Sequence, residues 1–555
     1  MNFKSTIIAT AFLLFATISY SQPNNLTDRE LESYFDKLLT GQFKPTGPGA
    51  TAIVSRKGKV IYEKAFGKAN METGTVMEPW NILRIGSITK QFTAVSILQL
   101  LEKGKLNLSD SISKFIPGYP MHGQTITIEH LLTHTSGIKG YTELPEFNET
   151  FQHTDMKPDE LISVFKNKPL EFTPGSKWEY SNSGYILLGY IIEKISGKSY
   201  AEYINENIFK PLGMTLSYYD NRSKIINYRA AGYQEGPNGI ENASFISMTL
   251  PYAAGSIMST VKDLNIWNTA IMNYKLLKKE TLQKAITNYK LSDGKDTYYG
   301  YGWALGDLKG SPTIEHSGGI HGFLSNAIYL PNEQVYVAVL SNCTCNPPND
   351  VSVKMAALAI GKPFGESKTI SVDSNELKKY AGVYEHEDAG QRVIKYADGH
   401  LSSKRSNGQQ YNLLPVAKDV FAFEDALSEL YFHRDAAGNI TGLDLKSATM
   451  QKQYWKKSNN PIPEPPQEMM VDSSNLEQFA GEYELAPQFV ITVRVRDGKI
   501  FGQATGQPEF ELFAKSENVF FLKVVEAEVE FIKTDGKVTS MILHQNGNDI
   551  PGKKK

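Results

Sequence analysis

Two cysteines in 555 residues cannot staple this chain into a disulfide scaffold, so hydrophobic cores must hold it. An excess of charge of one sign is missing too: 58 Lys and Arg stand against 60 Asp and Glu, a net charge of −2. No global basic surface exists for nucleic acid or an anionic membrane. The apolar stretch Ile7 to Ile18 falls short of the ~20 residues that span a bilayer. Hydrophobic residues make up 41% and charged residues 21%, which excludes a disordered chain and a polytopic membrane protein. What is plentiful is aromatic (11%) and glycine (44 residues), the composition of substantial β-structure with tight turns. The length predicts two to four domains at ~100–200 residues each.

Residues 1–21 read as a signal peptide. Lys4 is the positive start, Ile7 to Ile18 the apolar core, and Ser19-Tyr20-Ser21 a small-x-small cleavage site. With no cysteine near that site, the expectation is an unanchored periplasmic or secreted protein. Cys343 and Cys345 sit in a loop-like run, where a tight local disulfide and two free thiols both remain open. No histidine or second cysteine pair lies near them to make a metal site.

An internal repeat organises the C-terminal third. Leu377 to Glu385 recurs as Leu476 to Glu484, Asp398-Gly399 as Asp497-Gly498, and Val420-Phe421 as Val519-Phe520, all at one shift. Alternating runs such as Val490 to Val495, broken by Asp-Gly turns, predict small antiparallel β-barrels whose closure removes edges. The expected division is a domain over 22–360, a linker at 361–373, a barrel at 374–457, a Pro-rich linker at 458–472, and a second barrel at 473–550. In the large domain, alternation around Lys57-Gly58 predicts paired strands over Ala50 to Ala65. Helical patterns cover Ser87–Lys103, Thr127–Leu132, Ser183–Ser196 and Ser259–Met272, and a closing pair covers Asn326–Leu330 and Val335–Leu340. The fold class is mixed α/β (α+β): an antiparallel sheet flanked by a helical region.

A zinc-protease motif and a Gly-x-Ser-x-Gly elbow are both absent. His130 and His134, four apart, read as packed or capping residues near a helix end. Ser-x-x-Lys occurs at Ser87, Ser111, Ser136, Ser163, Ser259 and Ser292, but the chemistry needs a serine at a helix mouth with the lysine one turn on. Only Ser87 and Ser259 open long helices, and Ser259 reads more simply as an N-cap. Lys90 becomes a base only if burial or neighbouring charge lowers its pKa from ~10.4. Tyr180 could relay the proton in Tyr180-Ser181-Asn182. His316-Ser317-Gly318 is the sole His-x-Gly and continues as Gly319 to Phe323 on an apparent strand edge, where a substrate carbonyl could approach a backbone N–H.

Together these residues resemble the serine β-lactamase and penicillin-binding protein superfamily, in its class C branch. Ser87-x-x-Lys90, Tyr180-x-Asn182 and His316-x-Gly318 come in that family's order. Surrounding phrases match as well, including His130 to Gly137, Pro174-Gly175, Pro211 to Met214, Ala254 to Ser259 and Tyr299 to Trp303. The resemblance covers about Tyr34 to Leu340. It implies a covalent acyl-enzyme with Ser87 as nucleophile and Lys90 and Tyr180 handling its proton. Asn182, His316 and Gly318 would meet the substrate, and the N–H groups of Ser87 and Gly319 would form the oxyanion hole. No metal or organic cofactor is implied.

Dedicated class C β-lactamases carry Lys-Thr-Gly where this chain has His316-Ser317-Gly318, and a neutral histidine offers no permanent charge. D-Alanyl-D-alanine carboxypeptidases, D-aminopeptidases and some esterases of the superfamily carry His-x-Gly. The two barrels resemble the D-aminopeptidase architecture, where a barrel loop reaches into the active site. The expected function is therefore hydrolysis of amide bonds in D-amino-acid-containing peptides. A class C-like esterase or β-lactamase, and a catalytically degenerate cell-wall-binding protein, are the alternatives. The expected partners are a small peptide or ester substrate and cell-wall material, without nucleic acid or a membrane anchor.

Overall fold

The computed structural model describes residues 26–555 except 237–238, 365–367, 388–389, 407, 464–466, 470, 487–488, 526 and 546–547. The signal-peptide pattern at 1–21 lies outside the described residues.

The large domain is built on six antiparallel strands: β1 (Ala50–Arg56), β2 (Lys59–Phe66), β3 (Ala304–Leu308), β4 (Ser311–Ile320), β5 (Phe323–Leu330) and β6 (Val335–Ser341). Their order is β3-β4-β5-β6-β1-β2, so chain segments far apart in sequence pair at the centre, Ile53 opposite Ala338. Every residue of β6 is buried. Alternation sends Val337 and Val339 to one face and Ala338 and Leu340 to the other, where separate hydrophobic clusters receive them. A strand buried on both faces has no polar side, which is why this one reads as a continuous apolar run.

Helix α1 (Asp28–Gln42) lies on the first face, opened by a Thr27–Glu30 capping box and burying Leu31, Phe35 and Leu39. The second face carries most of the helices, α2 (Thr89–Glu102), α3 (Ile128–Leu132), α4 (Asn182–Ser196) and α5 (Val261–Met272) among them. Twelve consecutive residues of α2, Thr89 to Leu100, are buried, so this helix is the axis of the helical layer. Helix α6 (Asn349–Ala359) packs beside α1. The expected N-cap at Ser259 is corrected: Thr260 caps α5 by accepting from the Asp263 N–H. Ser259 instead ends a three-residue strand, fully buried, with its hydroxyl 2.8 Å from that of Ser217. The neighbouring threonine has the extended backbone a cap requires. Cys343 and Cys345 are joined as a disulfide.

The C-terminal third forms two closed eight-stranded barrels, Gly382–His386 through Gln453–Lys457 and Gly481–Ala486 through Asn548–Lys554. Equivalent residues do equivalent work in each. Tyr384 Oη donates to Tyr380 O at 2.7 Å, and Tyr483 Oη to Phe479 O at 2.8 Å. Tyr380, Phe421 and Phe432 cluster in the first core as Phe479, Phe520 and Phe531 do in the second.

The first barrel covers the open edge of β3, the remedy an exposed strand needs. Asp307 N–H donates to Thr449 O at 2.8 Å, and Lys446 Nζ donates to Asp307 O at 3.0 Å. At Gly306 a Cβ would stand 2.2 Å from Thr449 O, so only glycine admits this approach. The contact lies beside β4, where Glu315 hydrogen-bonds Thr449 and burial pushes its carboxyl from 4.5 up to about 7. The folded protein therefore holds this proton more tightly than the unfolded chain. That stabilisation is complete below pH 4.5 and lost as pH rises through 7, on the order of 3 kcal/mol. Glu315→Gln should remove this loss, so that its Tm gains on the parent's as pH rises from 5 to 8; parallel Tm curves for the two would refute the coupling.

Candidate active site

A short turn sets Ser87 at the mouth of α2. Gly86 adopts φ +50, and a Cβ there would sit 2.7 Å from Gly319 N, so β4 can lie against this turn only because residue 86 is glycine. Gly318 is equally constrained, since a Cβ would stand 2.0 Å from Ile85 O. Ser325 Oγ of β5 donates to that Ile85 carbonyl at 2.9 Å, and Ile85 N–H donates to Ile257 O at 3.0 Å. Sheet and helices thus hold the serine from both sides. Ser87 is half-buried and Gly319 exposed.

Lys90, three residues on, is completely buried. Its Nζ contacts Ser87 Oγ at 3.0 Å, Asn182 Oδ1 at 2.8 Å and Ala254 O at 2.9 Å. Burial lowers its pKa well below 10.5. A neutral amine has two N–H bonds and one lone pair. Asn182 Oδ1 and Ala254 O can only accept, so they take the two N–H bonds and leave the lone pair for the Ser87 hydroxyl. That is the geometry of a base rather than of a counter-ion.

Tyr180 also hydrogen-bonds Ser87, and burial raises its pKa, so the phenol stays protonated. Its ring faces Lys90 Nζ at 4.7 Å and His134 at 4.3 Å between centroids. His134 Nδ1 accepts from Ser181 N–H at 3.0 Å, so this buried imidazole fixes the segment carrying Tyr180 and Asn182. His130 instead helps cap α3, its Nδ1 accepting from Thr127 N–H. Asn182 uses both ends of its amide: Oδ1 takes Lys90, and Nδ2 donates to Thr142 Oγ1 at 3.2 Å.

His316 is buried on β4, its ring 6.2 Å from that of Tyr180. Burial and the neighbouring Lys90 lower its pKa to about 4, so it is neutral at pH 7. Nδ1 lies 2.6 Å from Ser317 O and Nε2 lies 2.9 Å from Tyr299 Oη. A carbonyl can only accept, so Nδ1 bears the proton and Nε2 accepts from the tyrosine. Both nitrogens are engaged within the protein, and a substrate reaches this ring only by displacing one partner. Ser87, Lys90, Tyr180, Asn182, His316, Gly318 and Gly319 are thus gathered at the junction of β4 with α2. His134, Tyr299 and Thr142 complete the cluster without having been singled out as site residues. A periodic pattern does not carry such cross-chain contacts.

A sheet with helices on both faces, and a serine, a buried lysine and a tyrosine converging beside one strand, define a protein of the β-lactamase-like class. The Beta-lactamase family model matches residues 33–362, and the chain belongs to that family. A domain of unknown function, DUF3471, matches 366–458 and 465–554. Penicillin-binding protein 4* of Bacillus subtilis is 28% identical over 416 residues, which are 70% of this chain and 91% of that protein. Among solved structures, the octameric penicillin-binding protein homologue from Pyrococcus abyssi is 28% identical with a TM-score of 0.55, over 78% of this chain and all of that one. The D-stereospecific amidohydrolase from Streptomyces is 27% identical with a TM-score of 0.50, over 58% of this chain and 97% of that one. No described helix is long and apolar enough to cross a membrane.

Proposed function

We propose that the protein is an exported serine hydrolase that cleaves amide bonds of D-amino-acid-containing peptides through an acyl-enzyme on Ser87. The observation that carries this reading is Lys90, buried and held 3.0 Å from Ser87 Oγ with acceptor-only groups on its other two sides. As Ser87 Oγ attacks the carbonyl carbon, its proton moves to Lys90 Nζ. The carbonyl oxygen becomes an oxyanion facing the N–H groups of Ser87 and Gly319, each worth ~3–4 kcal/mol in such sites. Collapse breaks the C–N bond, with Tyr180 passing a proton to the leaving amine and recovering one from Lys90. Water then attacks the ester by the same route, releasing the acid and restoring Ser87.

Two observations favour D-amides over β-lactams as substrates: neutral His316 where a β-lactamase has lysine, and the similarity to a D-stereospecific amidohydrolase. Export rests on the pattern at 1–21. A panel of D-alanine p-nitroanilide, acyl-D-Ala-D-Ala, a chromogenic cephalosporin and a p-nitrophenyl ester separates the classes. The expected result is kcat/KM highest on a D-residue amide, with its L-enantiomer at least ~100-fold slower. Faster cephalosporin turnover would make the protein a β-lactamase, and activity on the ester alone would make it an esterase.

A further inference from the structure

Beyond the end of β4 lies a pocket of about 200 Å³ that none of the steps above uses. Arg84, Arg229, Ser244, Phe245, His321 and Phe323 line it. Two guanidiniums there share one carboxylate: Arg84 Nε donates to Asp220 Oδ2 at 2.8 Å, and Arg229 Nη2 lies 3.0 Å from Asp220 Oδ1. Asp220 is buried. One positive charge of this group is left over, and the Arg229 side chain, which lines the pocket, keeps 30% of its surface exposed. Arg229 is held in place by the backbone, Ile82 N–H donating to Tyr228 O at 2.9 Å and Ala230 N–H to Ile82 O at 3.0 Å. The Arg84 guanidinium lies over the Phe323 ring at 5.6 Å. His321 is kept neutral by burial and by Arg84 and His153, so its ring can still donate one hydrogen bond.

Position says which half of a substrate would enter. His316 and Tyr180 adjoin at one end of this strand segment, so the leaving amine departs there with its proton. His321 lies at the opposite end, in the turn that follows Ile320 at the end of β4. A group attached to the acyl side of the scissile carbonyl points that way. We infer that this pocket is an acyl-side subsite for a carboxylate carried on a short apolar stem. This rests on the proposed acyl-enzyme reading and narrows its substrate class to anionic acyl donors.

Binding can be measured without turnover, in the Ser87→Ala protein by calorimetry. The probes are N-succinyl-D-alaninamide, which carries a carboxylate at the end of its acyl stem, and the neutral N-butyryl-D-alaninamide. The succinyl compound is expected to bind about tenfold tighter at low salt, the worth of one charge-assisted hydrogen bond. That preference should shrink toward parity near ~0.5 M NaCl, because the pocket is open to solvent. Arg229→Gln should erase it, and Arg229→Lys, which keeps a counter-ion for Asp220, should reduce it. Equal affinities in the parent, or a preference indifferent to salt and to both substitutions, overturns the subsite. Turnover of the matching p-nitroanilides by the intact enzyme tests the other proposal separately. A preference without turnover leaves the subsite standing and removes D-amide hydrolysis, whereas turnover with equal affinities does the reverse.

Discussion

Replacing Ser87 with alanine is expected to lower kcat/KM by about 10³- to 10⁶-fold while leaving the fold intact. The range follows from what survives: oxyanion donors and substrate binding still supply ~10³–10⁴ over the uncatalysed rate in enzymes stripped of their nucleophile. The fold should tolerate the change, since Ser87 is half-buried and its hydroxyl contacts Lys90 and Tyr180 rather than the apolar core. A fluorophosphonate should label the parent at Ser87 and fail to label the variant, as read by peptide mass spectrometry. The rival Ser-x-x-Lys serine, Ser259, has no accessible surface and is bonded to Ser217, so reagent cannot reach it in the folded protein. An adduct on Ser259, or unchanged turnover by Ser87→Ala, would remove Ser87 from the mechanism.

Local periodicity made some parts of this molecule readable in advance. The hairpin around Lys57-Gly58 is one case, because alternation and a turn lie within a few residues of each other. Ser87 and Lys90 are another, since three residues along a helix put both side chains on one face. The barrel repeat was legible because a duplicated sequence must fold twice in the same way, down to the Tyr384 and Tyr483 hydrogen bonds. Strand β3 was not singled out, and β4 was legible only as an apparent strand edge after His316. Gly306 and Gly318 sit where other residues would show alternation, and they are glycine because Thr449 and Ile85 come close. The helix start at 260 was misplaced by one residue because serine and threonine both cap, and only the backbone decides between them. Tyr299 on His316, His134 on Tyr180 and Arg84 on Asp220 join residues 17 to 136 positions apart, beyond the reach of any local pattern.

Lys90→Ala and Tyr180→Phe are each expected to reduce acylation by about 10²- to 10⁴-fold, the usual contribution of a general base. The double variant should lose little more than the worse single one, because both side chains serve one proton path from Ser87 to the leaving amine. Their directions of titration make them complementary. Burial lowers the Lys90 pKa, so an unprotonated amine is available well below 10.5, while burial raises the Tyr180 pKa and keeps a proton on the phenol to deliver. In the parent, kcat/KM should therefore rise with pH as Lys90 loses its proton, with an inflection well below the ordinary lysine range. Tyr180→Phe should keep that inflection at a lower rate, and Lys90→Ala should abolish it. His316 stays neutral above about pH 4, so it contributes no inflection to this profile near neutrality. Circular dichroism guards against a trivial loss, since truncating Lys90 strands Asn182 Oδ1 and Ala254 O, and each unsatisfied polar atom costs about 1–3 kcal/mol. Should folded Tyr180→Phe turn over like the parent, the proton must reach the leaving amine from Lys90 directly. An unchanged inflection in Lys90→Ala would instead give the base to another group.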